Sequence, residues 1–361
     1  MSLSCLPRHA GQMRKCLICT CLSGTLCGCQ VRYVNVLKQS EVMKYRKRKF
    51  VPGECIHIYQ RAVKGFNIFY DLEDYLVFYT IFAVVAKVYD ISVLELCIMS
   101  NHVHILLSSG KLKEISDFIM HYTSMFVREY NDDVGRRGPL FHKSYGSAPK
   151  KGSKSIRSAI VYIGNNPVEK NLCQSADSYI WNFLSYMNPE GRGRFVIRKM
   201  TKRLQRAVRE VSELHAKSAF LGYGRLRRLM ARMSPEEKDI LKDYIIYTYY
   251  PFDSSALLSY YDSYESMITA MRSTSGSEYD IKEMYEPEYG MIYQDMADLV
   301  RSGCSNHGPM SQVRKVTVMS ADEKYEMARC LRRHTMAGIH QIERFLNITF
   351  ERANAVPHNH L

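Results

Sequence analysis

The sequence predicts an α+β fold in which a ferredoxin-like antiparallel sheet with helices on one face is followed by a mainly helical C-terminal region. The first half of the chain shows the order strand, helix, strand, strand, helix, which is the order of a split α/β unit. After about residue 180 the composition changes to Arg- and Lys-rich segments with helical spacing of apolar residues. These two observations define the fold class.

Short apolar patterns bounded by turn residues predict the strands, and longer patterns with helical spacing predict the helices. Asn101 lies at the expected turn between two successive strands, and Pro167 is expected to end the last helix of this half. The predicted strands are 54–63, 92–100 and 102–109, the predicted helices are 71–90, 112–131 and 153–171, and a basic turn with a short extended stretch occupies 136–149.

The charge of the chain indicates a polyanionic partner. The 361 residues carry a formal net charge of +14, which nucleic acid would match most simply. No apolar run reaches the ~18 residues of a membrane span, so we expect no membrane partner. The predicted organisation is a poorly ordered Cys-rich leader at 1–42 with the natural start at Met43, a first domain at 43–187, a basic helical region of unknown role at 188–315, and a last segment at 316–361.

The cysteines are unevenly distributed. Six of the 11 lie in the first 29 residues. Cys16 and Cys19 have the spacing of zinc ligands, but no matching second pair follows, which disfavours a zinc regulator. We expect the other five cysteines to be isolated thiols of a reducing cytoplasm.

The C-terminal segment 320–348 predicts two helices. Ser320 and Glu323 form a capping box at the start of the first helix. A break at Thr335–Gly338 precedes a second apolar helical pattern. Helix, tight turn and helix is the helix-turn-helix arrangement of DNA-binding proteins, but an ordinary helical hairpin has the same pattern, and both interpretations stay open here.

Two stretches carry candidate chemistry. His102 and His104 are two residues apart on a predicted strand, so their side chains share one face of the sheet. Two imidazoles placed in this way are able to bind one metal ion, although two buried, hydrogen-bonded histidines have the same pattern. Tyr162 and Asn166 are four residues apart and share one helix face, where a tyrosine is commonly a core residue.

Taken together, these stretches resemble a known family. The segments "MSNHVHILL", "GPLFHKSYGSAP", "VYIGNNPVEKNL" and "YIWNFLSY" occur in the order and near the spacing found in the HUH single-strand endonucleases. They are most similar to the single-tyrosine transposases of small bacterial insertion sequences and their REP-associated relatives. The resemblance covers roughly residues 44–187. The C-terminal helix-turn-helix resembles a DNA-binding segment that some REP-associated members carry.

The resemblance implies a metal-dependent single-strand DNA endonuclease and strand transferase that cleaves folded DNA through a 5′-phosphotyrosine intermediate. Tyr162 would be the nucleophile, and His102, His104 and Asn166 would hold Mg²⁺ or Mn²⁺. Asn166 stands where several relatives have Gln or Glu. Asn165 points about 100° away around the helix and ranks lower. The protein would act in the bacterial cytoplasm at the nucleoid, as a monomer or a homodimer.

Basic residues around these stretches are candidates for contacts to single-stranded or hairpin DNA, because Lys and Arg bind phosphates without reading bases. Tyr145 is a candidate for base stacking, and Phe141 is expected to be a core residue. The alternatives are a replication initiator or relaxase with the same site, and a catalytically idle, domesticated DNA-binding or regulatory protein. The candidate DNA contacts are Lys44, Arg46, Lys47, Arg48, Lys49, Lys143, Lys150, Lys151, Arg157, Arg198, Lys202 and Arg203.

Overall fold

The structure is a computed structural model, and it describes residues 49–188, 200–273, 290–304 and 308–350. The chain divides into residues 1–47 and residues 48–361, and all described residues belong to the second unit. The predicted leader at 1–42 therefore lies outside the described residues.

A four-stranded antiparallel sheet forms the centre of the first half of the chain. Its strand order is β2-β3-β1-β4, with α1 between β1 and β2 and α2 between β3 and β4. This is the ferredoxin-like arrangement that the order of the elements predicts, and the predicted fold class is confirmed. The bounds are β1 Cys55–Arg61, α1 Leu72–Ala86, β2 Ile91–Ile98, β3 His102–Ser109, α2 Leu112–Val134, β4 Gly146–Lys150 and α3 Gly152–Glu169.

The two faces of the sheet are covered by different helices. Gln60 on β1 contacts α2, since its side-chain amide donates to Thr123 Oγ1 and its Oε1 accepts from the hydroxyl of Tyr122, both at 3.1 Å. Successive side chains of a strand point to opposite faces. His57 points to the other face, where its ring lies against Tyr162 of α3. As predicted, α1 and α2 occupy one face, whereas α3 covers the second face, which the sequence analysis did not predict.

Helix α3 continues through Pro167 to Glu169, so the prediction that Pro167 ends this helix is wrong. The backbone N–H of Lys170 donates to the carbonyl of Asn166 at 3.3 Å, and that of Leu172 donates to the carbonyl of Pro167 at 2.9 Å. A proline removes one backbone donor from the helix. Only the last turn follows Pro167, and these bonds close it, so the helix tolerates the loss.

The described residues after the sheet are mainly helical, as predicted, and they belong to two hydrophobic clusters. Helices α4 to α8 contribute residues such as Leu204, Leu226 and Ile245 to the cluster that contains the sheet. Helices α9 to α11 form a second cluster with Tyr70. The bounds are α4 Lys202–Ala216, α5 Tyr223–Met230, α6 Pro235–Thr248, α7 Ser254–Leu258, α8 Tyr264–Ser273, α9 Gly290–Ser302, α10 Ala321–His334 and α11 Ile339–Leu346.

Helices α10 and α11 are the two helices predicted at the C-terminus. The side chain of Ser320 caps α10 in a box with Glu323, and Thr335–Gly338 separates the helices. Apart from Tyr70, the buried residues of the second cluster begin at Met296. The sequence predicts that the last segment starts at residue 316, which is later in the chain. Within the described ranges, no helix combines the length and the apolar composition that crossing a bilayer requires.

The second cluster contains a disulfide between Cys304 and Cys330. The expectation that every cysteine after the leader is an isolated thiol is wrong for this pair. The end of α9 packs against α10 and brings the two Cα atoms to 6.1 Å, within the range that a disulfide spans. Cys55, Cys97 and Cys173 form no disulfide with another described residue.

A buried ion network joins the second cluster to the helices on the sheet. Arg314 is 1% exposed, and its Nη1 lies 2.8 Å from Asp74 Oδ1 of α1. Its Nη2 lies 2.5 Å from Asp133 Oδ2 of α2. The guanidinium lies 3.9 Å from the ring centre of Tyr223, whose hydroxyl also donates to Asp74. The two carboxylates and the ring together compensate the desolvation of this buried cation.

Candidate active site

The two histidines of β3 lie side by side on the face of the sheet that α3 covers. β3 is a central strand, paired with β1 on one side and β2 on the other. The ring centres of His102 and His104 are 5.0 Å apart. His104 is fully buried and His102 is 7% exposed, so His102 marks the side of the site nearest to solvent.

Helix α3 brings Tyr162 and Asn166 to these histidines. The ring centre of Tyr162 lies 5.6 Å from that of His104, edge to face. One turn later, the side chain of Asn166 lies next to that of His102. Tyr162 is 3% exposed and Asn166 is fully buried. The structure therefore brings together all four residues that the sequence identifies as candidate nucleophile and metal ligands.

A third histidine, His57 of β1, belongs to the same cluster, and sequence reasoning missed it. Its Nε2 lies 2.9 Å from Nδ1 of His104, and its ring centre lies 5.7 Å from that of Tyr162. A signal for it exists in the sequence. His57, Tyr59 and Arg61 alternate with apolar or buried residues on β1, and three polar residues with a period of two predict a polar face on that strand.

Asn101, at the turn before β3, determines which nitrogen of His102 carries the proton. The Nδ2 of Asn101 donates to the carbonyl of Gly65 at 3.1 Å, which orients its Oδ1 towards His102. That oxygen lies 2.6 Å from Nδ1 of His102. An amide oxygen only accepts hydrogen bonds, so Nδ1 carries the proton and Nε2 keeps its lone pair. This tautomer is the one in which Nε2 of an imidazole binds a metal.

Burial keeps the three imidazoles neutral at physiological pH. Desolvation lowers the pKa of His57 to about 3 and that of His102 to about 3. The pKa of His104 is lowered well below its usual value, first by burial and then by the neighbouring charges of His102 and His57 when protonated. A metal ligand must be neutral imidazole, so the site holds its histidines in the form that binds metal.

The donor set fits a divalent metal ion. Both histidines of β3 have their Nδ1 engaged by a neighbour, Asn101 or His57, which is how proteins orient imidazoles that bind metal through Nε2. Asn166 adds an amide oxygen, a donor that Mg²⁺ and Mn²⁺ accept. Across the described ranges, no group of three or more His, Cys, Asp or Glu side chains is arranged for a metal. Any metal here would therefore depend on the mixed set of two imidazoles and one amide.

After burial, and for His104 after the neighbouring imidazoles, the charges that lower the pKa of these histidines are those of Lys and Arg side chains. Lys170 and Arg61 lower the pKa of both His102 and His104, and Arg344 also lowers that of His102. Lys150 of β4 lowers the pKa of His57. The surroundings of the histidines are thus electropositive, which favours binding of a phosphate.

The predicted DNA contacts are divided between described and undescribed parts of the chain. Lys150 is half-buried on β4, next to the site. Arg203 donates to the carbonyl of Arg232. Lys44, Arg46, Lys47, Arg48 and Arg198 lie outside the described residues, whereas Lys49, Lys143, Lys151, Arg157, Lys202 and Arg203 are exposed.

Three other side chains singled out in the sequence have structural contacts. Phe141 is buried in the hydrophobic cluster, as expected. The hydroxyl of Tyr145 lies 2.9 Å from that of Ser116. Asn165 is buried, and its Nδ2 donates to the carbonyl of Met271 at 2.7 Å, so it anchors α8 to α3. Of the two adjacent asparagines, Asn166 is the one at the site.

Comparison with known proteins finds a family match in the region that contains the candidate site. Residues 56–166 match the family model described as IS200-like transposase, and they include all four predicted site residues. The resemblance inferred from the sequence is thereby confirmed over that span. One similar solved structure is a REP-associated tyrosine transposase bound to a REP hairpin, with 13% identity and a TM-score of 0.33, covering 38% of this chain and 81% of that chain. No curated protein sequence matches the chain.

Proposed function

We propose that this chain is a transposase that nicks and rejoins single-stranded DNA through a covalent bond between Tyr162 and a 5′ phosphate. One observation carries the proposal. Inside the span that matches the IS200-like transposase family, a tyrosine, two neutral histidines and an asparagine from two separate elements converge in one buried cluster. Burying polar groups costs free energy, and clusters of such groups are commonly found at catalytic sites.

The proposed reaction is a phosphoryl transfer to Tyr162. Its phenolic oxygen forms a bond to phosphorus, and the bond between phosphorus and the 3′ oxygen breaks. The phenolic proton passes to the departing 3′ oxygen, directly or through solvent, which leaves a 3′ hydroxyl. The phosphodiester energy is retained in the tyrosyl ester, so a later 3′ hydroxyl reverses the step and joins strands.

The other residues have positioning and binding roles. His102, His104 and Asn166 would hold Mg²⁺ or Mn²⁺, which when bound polarises the phosphate and offsets the charge of the transition state. Asn101 and His57 orient the two histidines through Nδ1. The edge-to-face contacts of Tyr162 with His57 and His104 fix the phenol on this face of the sheet. The net charge of +14 supports DNA as the substrate, and we propose folded single strands as its form.

A covalent-adduct assay tests the proposal. The full-length protein and Tyr162→Phe are incubated with labelled single-stranded hairpins from the sequence flanking the gene, with Mn²⁺, with Mg²⁺ or with EDTA, and separated on denaturing gels. We expect a metal-dependent protein–DNA band that Tyr162→Phe does not form. Tyr186→Phe is the matched control, because this tyrosine is likewise buried but lies outside the site, where its hydroxyl donates to Asp243.

The absence of an adduct would favour a different function. If the unmodified protein binds the hairpins tightly and forms no adduct with either metal, the chain is a DNA-binding protein without transferase activity. The buried histidines would then be structural, and the helical pair α10–α11 would be the first region to test for DNA contacts. Both proposals place the protein where DNA is, at the nucleoid of a bacterial cytoplasm.

A further inference from the structure

Two cations lie beside the histidines on the elements that build the site. Arg61 is directly opposite His102 in the register of β1 and β3, and it is half-buried. Lys170 ends α3, one turn after Asn166, and its backbone N–H bonds the Asn166 carbonyl. Lys170 is buried, so its charge acts in a medium of low dielectric constant, where electrostatic effects are strong.

A third cation, Arg344, comes from α11 at the other end of the chain. The carbonyl of Arg344 accepts from the backbone N–H of Asn67 at 3.1 Å. Asn67 in turn accepts from the hydroxyl of Ser100, two residues before His102, at 3.4 Å. The next residue of α11, Phe345, accepts from the hydroxyl of Tyr70. The segment 67–70 therefore lies between α11 and the turn that precedes β3.

This placement brings α11 to the histidines. The carbonyl of Ser100 also accepts from the backbone N–H groups of Ile68 and Phe69, at 2.8 and 3.0 Å, which fixes the segment 67–70 against the turn before His102. Arg61 and Arg344 are half-buried, and His102 is the most exposed of the four predicted site residues. Of the three cations, the two arginines are therefore the ones that solvent reaches, whereas Lys170 is buried.

We propose that Arg61, Lys170 and Arg344 form a phosphate-binding group that holds the DNA backbone at His102, and that α11 thereby completes the site. The inference rests on the proposed function for its choice of ligand. Guanidinium groups match the geometry of phosphate oxygens, and a buried ammonium adds a strong point charge. The group attracts a DNA phosphate in the absence of metal, because its charges are carried by the protein.

The test measures binding in EDTA, so that neither metal nor cleavage contributes. The probe is a fluorescent oligothymidylate, and its affinity for the full-length protein is followed by anisotropy against salt concentration. For single strands, the slope of log affinity against log salt is about −0.7 per neutralised phosphate. We expect Arg61→Gln and Arg344→Gln each to reduce the magnitude of the slope by about 0.7, and Arg344→Lys to restore it.

The matched control is Lys113→Ala, which removes one exposed positive charge from α2 on the opposite face of the sheet. Its slope should equal that of the unmodified protein. If Arg344→Gln does not fold, as seen by circular dichroism, Arg61→Gln decides. Slopes of Arg61→Gln and Arg344→Gln equal to that of the unmodified protein overturn the inference.

A parallel adduct assay in Mn²⁺ separates this inference from the proposed function. An adduct from the unmodified protein, together with unchanged slopes in the arginine variants, means that the transferase stands and the phosphate-binding group does not. Reduced slopes without any adduct mean that the group binds DNA phosphate and the transferase proposal fails. Reduced slopes with an adduct that weakens in Arg344→Gln and recovers in Arg344→Lys support both.

Discussion

The two faces of the sheet are both covered by helices but differ in their chemistry. On the face that packs on α1 and α2, β1 and β3 present apolar side chains such as Ile58 and Ile105, both fully buried. On the face under α3, the same two strands present His57, His102 and His104. Burial alone therefore does not distinguish the core from the candidate site.

The free-energy terms on the two faces differ. Burying an apolar side chain is favourable by about 1.5–3 kcal/mol, and this term holds the helices on the sheet. Burying a polar group is unfavourable unless hydrogen bonds compensate it. Hydrogen bonds from Asn101 to His102 and between His57 and His104 supply part of that compensation on the second face. The apolar face stabilises the fold, and this stability allows the other face to hold a preorganised polar cluster.

The sharpest test of this comparison uses neighbouring residues of β3. We expect His104→Gln to reduce the initial rate of adduct formation by at least about 10³-fold, because a predicted metal ligand beside Tyr162 is lost. Ile105→Val, one residue later on the other face, should leave the rate unchanged and lower the free energy of unfolding by about 1 kcal/mol. Equal rates in the two variants would show that the faces do not differ in function.

On the apolar face, Ile58→Ala should act on stability alone. Ile58 is fully buried opposite Ile105, and its truncation should lower the free energy of unfolding by about 3 kcal/mol in urea titrations. At a temperature where the variant is still folded, we expect unchanged adduct formation. A large loss of activity in the folded variant would mean that the apolar face also shapes the site.

The adjacent asparagines of α3 separate the two effects within one helix. Asn166→Ala should reduce adduct formation by about 10²-fold, because it removes the amide oxygen that is predicted to bind the metal. Asn165→Ala should instead lower the free energy of unfolding by about 1–3 kcal/mol, since the buried carbonyl of Met271 loses its donor. The opposite pattern would assign the site to Asn165.

The smallest expected effect is that of His57. If His57 only orients His104, then His57→Phe should raise the Mn²⁺ concentration needed for half-maximal adduct formation by about 10-fold. Saturating Mn²⁺ should restore most of the rate. A loss that Mn²⁺ does not restore would show that His57 takes a direct part in the reaction, next to Tyr162.

The sequence predicts most of the site because its residues occur as two pairs, and the members of each pair are close together in the chain. His102 and His104 are separated by one residue, and Tyr162 and Asn166 by one helical turn, so local periodicity places each pair. The sequence of β1 also contains the alternation that places His57 on a polar face. What local pattern does not contain is the register that places His57 diagonally across from His104, since pairing between strands depends on the whole sheet.

Long-range packing also explains the predictions that were wrong or missing. Cys304 and Cys330 are 26 residues apart, and only the packing of α9 on α10 brings them together. Arg344 is more than 200 residues from His102 in the sequence, and no motif connects the two. Pro167 is read as a helix end by local rules, but the bonds of Lys170 and Leu172 extend the helix beyond it.

The ion network of Arg314 bears on where this chain can be truncated. A gene fragment that ends before Gly290 would encode every residue that matches the transposase family and all three histidines of the site. It would also lack Arg314, so Asp74 would lose its ion pair and Asp133 would keep only its pair with Arg227 of α5. The C-terminal helices belong to the same compact unit as the sheet, so this unit is longer than the recognisable motif.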